Sequence, residues 1–169
     1  MNTRILVTIS LLVGIGAVLN GVVPAIFTMK PDMTLLMMFL AIVLFPKRKY
    51  VLLVGLSTGF ISALTTTFPS GQIPNMLDKP ITAFIFFGLF LLVKRFSTRL
   101  TSGILTFIGT VASGFIFLTS ALVLFGLPAG FLALFTTVVI PAAIINTILM
   151  TILYPIVINI QKRTNLVTV

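Results

Sequence analysis

The sequence predicts an all-α integral membrane protein of six transmembrane helices, with both termini cytoplasmic. Three observations carry that expectation. The 169-residue chain is 59% hydrophobic and only 8% charged, and its mean hydropathy is +1.27, so its apolar surface exceeds what a water-soluble core of this size can hide. Apolar runs recur along the whole chain, and basic residues cluster at their ends, where they act as orientation signals. No polar gap is long enough for a separate soluble domain, so residues 1–169 read as one membrane domain.

Arg4 precedes the first apolar run, residues 5–27. A cleaved signal peptide is the alternative there, but the run is longer than an ordinary signal core and further spans follow it. After Lys30-Pro31-Asp32 comes a second span, 33–45, ended by Pro46 and the cluster Lys47-Arg48-Lys49. The third span, 50–68, carries Gly55, Gly59 and Ala63 four residues apart, a spacing that lets helix backbones approach closely. The polar stretch from Gly71 to Pro80 leads into a fourth span, 81–93, which stops at Lys94-Arg95. A fifth, 104–125, places Gly109 and Ser113 as another packing face. Gly126-Leu127-Pro128 then turns the chain into a sixth, 131–160, kinked at Pro141 and ending at Lys162-Arg163.

Cytoplasmic loops should hold the excess of Lys and Arg. With the N-terminus inside, nine of the 11 basic residues fall inside and only Lys30 and Lys79 outside. The only two acids, Asp32 and Asp78, fall outside with them. Spans two and four are short, roughly 20 Å at 1.5 Å per residue against a hydrocarbon core of about 30 Å. Their inner ends are set by basic clusters, so the missing length is made up by outer loops that sink below the membrane surface. Irregular backbone at that depth is tolerated only when packed in protein or lining a watery cavity, which implies an outward-facing bowl.

Pro31 and Pro80 suit the first turn of a helix, so the N-termini of helices two and four favour an anion such as a carboxylate. Lys30 and Lys79 add positive charge there, and Asp32 and Asp78 are placed to receive an ammonium. A zwitterion satisfies both signs. The plain alternative is a pair of local ion pairs marking the interface. Gly71 and Pro74 present Gln72 and Asn75 in the same stretch. Met33 and Met76, with Met29, Met37 and Met38, and Phe84, with Phe27, Phe68, Phe86 and Phe87, offer a soft, polarizable wall for an aromatic group. Asn20 and Asn146 serve either as interhelical hydrogen-bonding groups or as contacts to substrate.

Several function classes drop out. The chain has no Cys and no His, which removes thiol nucleophiles, disulfides, the usual zinc ligands and the commonest general base. No Gly-x-x-x-x-Gly-Lys-Ser/Thr phosphate loop occurs, and the sequence calls for no cofactor and no metal. Two acids flanked by lysines, without a second constellation, do not make an enzyme. The net charge of +9 is accounted for by orientation signals, not nucleic acid. No span has the polar stripe of a channel. An ion-coupled secondary carrier of an aromatic amino acid, or a non-transporting structural or regulatory subunit, remains as an alternative to a binding component. Acids at the outer rim, with none midway, disfavour the carrier, and the sunken charged loops disfavour the subunit.

The segments Lys30-Pro31-Asp32-Met33, Leu44-Phe45-Pro46, Ser62-Ala63-Leu64-Thr65-Thr66 and above all Gly71-Gln72-Ile73-Pro74-Asn75-Met76 with Asp78-Lys79-Pro80 resemble the bacterial tryptophan transporter family. The resemblance continues through Gly126-Leu127-Pro128, Ile140-Pro141-Ala142-Ala143 and Asn146-Thr147, and so covers nearly the whole chain. That family is similar to the substrate-binding, or S, components of energy-coupling-factor (ECF) transporters, six-helix proteins of the cytoplasmic membrane. The resemblance implies L-tryptophan as substrate and, as partners, a transmembrane coupling subunit and two cytoplasmic ATPases. It also implies docking through small residues spaced by four on helix one. Here Ser10 with Gly14, and Ala17 with Gly21, have the spacing, although an Ala-x-x-x-Ala pair is missing. The expected substrate site comprises Lys30, Asp32, Met33, Gln72, Asn75, Met76, Asp78, Lys79, Phe84 and Asn146.

Overall fold

A computed structural model of the protein describes residues 3–22, 31–96 and 98–164. Its centre is α2 (Met33–Leu44), a helix of 12 residues that are all buried. The sequence MTLLMMFLAIVL has almost no polar face, and a helix apolar all round belongs inside a protein. At this length it falls in the range of a core helix. The carboxylate of Asp32 caps its start by accepting the Leu35 N–H at 3.0 Å, and Pro46 stops it just after the Phe45 N–H reaches the Ala41 carbonyl.

The other helices surround α2. The first, α1 (Thr3–Val22), crosses it at Gly16, where a Cβ would lie 3.1 Å from the Thr34 Cα. Next come α3 (Arg48–Thr65) and α4 (Gln72–Val93), which share the most extensive helix–helix contact in the molecule. The small residues expected to pack do so: a Cβ on Gly55 would sit 3.0 Å from both Pro80 Cα and Ala83 Cβ, and one on Gly59 3.3 Å from the Asn75 carbonyl oxygen. A 3-10 turn, Lys94–Phe96, leads to α5 (Arg99–Phe125). That helix is capped by the Thr98 hydroxyl and closed by Gly126 at φ 78°, a conformation that glycine adopts without strain. The sixth rod runs through α6 (Phe131–Leu134), a π-helical stretch Phe135–Val139, and α7 (Ile140–Thr164).

The all-helical expectation holds for the described residues. Four segments are long and apolar enough to cross a membrane: Thr3–Val22, Gln72–Val93, Arg99–Phe125 and Phe131–Gln161. One feature of the expected fold is overturned. The fourth helix is not a short span beginning at residue 81 behind a sunken loop, but a continuous helix of 22 residues starting at Gln72. Pro74 falls in its first turn, where a missing N–H costs nothing. Pro80 is its ninth residue, in the interior, and membrane helices tolerate such a proline. The anion-binding N-terminus expected beside Lys79 is therefore absent, and Asp78 and Lys79 project from the body of a helix. Near the expected kink at Pro141 the sixth rod widens into the π stretch, with the Ile140 N–H bonded to the Phe135 carbonyl. Proline has no N–H to return and its ring crowds the carbonyl four residues back.

Phe39 of α2 and Phe86 of α4 stack with centroids 4.0 Å apart and planes 9° from parallel, and both are fully buried. Gly109 of α5 makes room for them: a Cβ there would come within 2.8 Å of the Phe39 ring and 2.9 Å of the Phe86 ring. Gly109→Ala should therefore lower stability by about 1–3 kcal/mol through overpacking. Gly88→Ala, with nothing within 4 Å of its Cβ, should leave it unchanged or slightly raised. Thermal melts of the detergent-purified variants compare the two, and equal melting temperatures would contradict this packing.

Candidate functional site

Periodicity places the polar residues of α4. Asn75, Asp78, Lys79 and Thr82 follow the i, i+3, i+4, i+7 spacing of one helical face, and all four are buried. The face opens on a cavity of about 370 Å³ between α1, α2, α3, α4, α5 and the α6–α7 rod, a volume within the ordinary range for small-molecule sites.

Lys79 is the centre of the cavity's polar flank. Its ammonium lies 2.6 Å from Asp32 Oδ2 and 2.8 Å from Asp78 Oδ2, and it donates to Ser113 Oγ at 3.4 Å. Three donors meet three acceptors, so the ammonium is saturated. Asp78 Oδ2 also accepts from Ser113 Oγ at 2.7 Å, and Asp78 Oδ1 from Thr82 Oγ1 at 2.7 Å. Asp32 Oδ1 accepts the Thr34 hydroxyl at 2.5 Å beside its capping bond. Thr34 has one proton to give, so the Ser62 hydroxyl, 2.6 Å away, donates to Thr34. Two acids thus share one base, among hydroxyls on α2, α3, α4 and α5. The carboxylates outnumber the ammonium, which suits the cluster to a group that brings positive charge and N–H donors.

Much of the remaining lining is apolar. Gly114, Phe117 and Leu118 of α5 face Leu134, Val138, Val139 and Ala142 of the sixth rod. Gly114 allows the contact between the two elements, since a Cβ there would lie 2.4 Å from Val139 Cγ1. Phe68, from the link between α3 and α4, meets Phe117 edge to face at 5.1 Å and 81°. Asn20 of α1 donates to Thr65 Oγ1 at 3.2 Å where both line the cavity.

Among the residues singled out in the sequence, Asp32, Asn75, Asp78 and Lys79 come together on this cavity. Asn75 spends its amide N–H on the Gly71 carbonyl at 2.8 Å. Met33 is buried in α2 and does not line the cavity, and Met37 and Met38 belong to the core. Gln72, Met76 and Phe84 are exposed on α4, away from it. Asn146 is fully buried and donates to Thr110 Oγ1, which does line the cavity. Lys30, with Phe27 and Met29, lies outside the described residues. On α1, Ser10, Gly14 and Gly21 are exposed and Ala17 is half-buried.

Sequence reasoning passed over Thr34, Ser62, Thr82 and Thr110, and read Ser113 as a packing residue. The signal that finds them is the repetition of small polar residues at helical spacing: Thr58 and Ser62 in α3, and Thr106, Thr110 and Ser113 in α5. Asp78 also sits deeper than the rim assigned to it, whereas Asp32 is half-buried. Asp78 is fully buried and bonds to Ser113, the fifteenth of the 27 residues of α5.

The profile of the family described as "Tryptophan transporter TrpP" matches residues 2–162. Three relatives carry the name "Probable tryptophan transport protein". The one from Bacillus subtilis (strain 168) is 53% identical over 166 residues, covering 98% of this chain and 96% of its own. One from Clostridium acetobutylicum is 43% identical over 91% of each chain, and one from Clostridium perfringens 38% identical over 98% of this chain and 97% of its own. No solved structure matches the chain. By the extent of these matches the chain belongs to the tryptophan transporter family, as a multi-pass protein of the cell membrane and not an enzyme.

Proposed function

We propose that the protein captures L-tryptophan from outside the cell as the substrate-binding component of an ECF-type transporter, handing it on to a transmembrane coupling subunit and two cytoplasmic ATPases. The observation that carries the reading is a cavity lined both by the charged cluster of Asp32, Asp78 and Lys79 and by apolar side chains of α5 and the sixth rod. An α-amino acid with an aromatic side chain has the same division. Its ammonium joins the carboxylates of Asp32 and Asp78, its carboxylate takes neighbouring hydroxyls and the one Lys79 N–H now spent on the long 3.4 Å bond to Ser113 Oγ, and its ring lies against Phe68, Phe117 and the valines of the π stretch. The family description and the names of its relatives support tryptophan among such ligands. Lys30 belongs to the proposal as a second positive charge at the entrance. Gln72, Met76 and Phe84 would join the site only if α4 turns on binding.

The excess of basic residues in the loops assigned to the cytoplasm supports six spans with both termini inside. The exposed Ser10, Gly14 and Gly21, with half-buried Ala17, are the docking face in this scheme.

A second reading gains support from the depth of Asp78. An acid buried beside the middle of a long apolar helix is where a proton relay would place one, so an ion-coupled carrier of an aromatic amino acid is the rival. Binding and uptake separate the two. The chain contains no Trp, so fluorescence of added L-tryptophan reports binding to the purified protein without background. The binding component should bind tryptophan tightly with no gradient and fail to accumulate it alone in proteoliposomes. Accumulation driven by a proton gradient would establish the carrier instead.

Asp78→Asn and Lys79→Ala should each weaken tryptophan binding tenfold or more, since truncating one partner of a desolvated charge pair costs about 2–5 kcal/mol. Unchanged affinity in both variants would reject this site. Ser113→Ala removes one neutral donor to Asp78 and should cost about 1–3 kcal/mol. Its binding isotherm should therefore fall between those of the wild type and Asp78→Asn.

A further inference from the structure

Among the described residues only two buried side-chain polar atoms lack a hydrogen-bond partner, Thr58 Oγ1 and Asn146 Oδ1. A buried amide oxygen left unpaired costs about 1–3 kcal/mol, so Asn146 Oδ1 calls for a donor that the protein's own side chains do not supply. Asn146 stands directly behind the cavity lining. Its Nδ2 donates to Thr110 Oγ1 at 3.4 Å, and Thr110 lines the cavity. It also follows Ala142, another lining residue, by one turn of α7.

Its place relative to the charges gives it a task. Thr110 precedes Ser113 by three residues on the same face of α5, about 4.5 Å along the axis. Ser113 holds Lys79 and Asp78. The Asn146–Thr110 pair therefore stands at the inner end of the apolar wall, a short step from where an amino-acid head group would be held. The polar group lining the wall there is the Thr110 hydroxyl, and directly behind it the Asn146 oxygen is an unmet acceptor.

We propose that Asn146, braced by Thr110, is the acceptor for the ring N–H of the substrate, and so selects a nitrogen heteroaromatic side chain over an equally large ring without a donor. The inference rests on the reading of the cavity as a tryptophan site and adds its ring specificity. The chemistry is one-sided: a donor on the ligand satisfies the orphan oxygen, whereas a sulfur or carbon at that position leaves it buried and unmet. Sites built to bond a particular N–H or O–H reject analogues lacking it far better than apolar pockets reject a change of size.

The test crosses two ligands with the protein's variants, using calorimetry on the purified full chain. The ligands are L-tryptophan and 3-benzothienyl-L-alanine, in which sulfur replaces the ring N–H. The wild type should prefer tryptophan by about tenfold or more. In Asn146→Leu that preference should collapse to within about threefold, through loss of tryptophan affinity while the sulfur analogue binds about as before. Thr110→Val, which keeps the side chain's shape but removes the hydroxyl that braces Asn146, should narrow the preference in the same direction; should Asn146→Leu fail to fold, Asn146→Asp, which keeps an acceptor there, should retain the preference and its loss would overturn the proposal. A wild type that binds both ligands equally, or a preference that survives in Asn146→Leu and Thr110→Val, overturns the proposal while leaving tryptophan binding intact. Equal losses for both ligands overturn it too, since they place the amide at the head group or in the scaffold. A wild type that does not bind tryptophan at all refutes the underlying transport reading instead.

Discussion

Everything else in the molecule is arranged around one ammonium group held between two carboxylates. Lys79 bonds Asp32 and Asp78 in a chain with no other acids, among helices whose outward faces are largely hydrocarbon. Charges withdrawn from water are costly unless their geometry is good and their remaining hydrogen-bonding capacity is met. The hydroxyls of Thr34, Thr82 and Ser113 meet it, and Ser62 supports Thr34. The cluster joins the start of α2, the body of α4 and the middle of α5. Hydrogen bonds in such low-dielectric surroundings polarise one another, and a partly satisfied network would be worse than none. The same demand explains the close approach of α3 to α4: glycines at 55 and 59 bring the backbones together where the charged residues project.

The protein distributes polarity the opposite way from a soluble domain. Leucines, isoleucines and valines are exposed on every long helix, while Thr58, Ser62, Thr82, Ser102, Thr106, Thr110, Ser113 and Asn146 are buried. Between helices in a bilayer there is little hydrophobic drive, so small residues and short hydrogen bonds hold the bundle together. The exception is α2, apolar and buried together. Its aliphatic side chains and the Phe39–Phe86 stack form the dry core beside which the polar cluster is built.

Much of this was legible in the residues. Scarcity pointed to Asp32, Asp78 and Lys79, because two acids in so apolar a chain demand partners. Gly55, Gly59 and Ala63 marked a contact face by spacing alone. The error at α4 came from reading Gly71, Pro74 and Pro80 as punctuation. In a bilayer a helix is the least costly state even for a segment with two prolines, since exposed backbone has no water to turn to. That misreading put Asp78 and Lys79 on a loop and sent Gln72, Met76 and Phe84 to the site. On a continuous helix they belong to the other face. The α2 methionines do not line the cavity for a related reason: a short helix that is apolar on nearly every side is enclosed by the others and turns its methionines into the core. The apolar wall of Phe117, Val138 and Val139 had no local signal, because such residues fill membrane helices everywhere.

The π stretch Phe135–Val139 amounts to one residue more than an α-helix needs over the same rise. In an α-helix each residue advances the face by about 100°, so the stretch works as a phase shifter between the two halves of the sixth rod. Leu134 before it and Ala142 and Asn146 after it are brought to a common side by that offset. The azimuth of α7 is consequently encoded by chain length as well as by residue type. Removing a single residue from this stretch would leave composition and hydropathy almost untouched, yet swing Asn146 and everything beyond it away from α5.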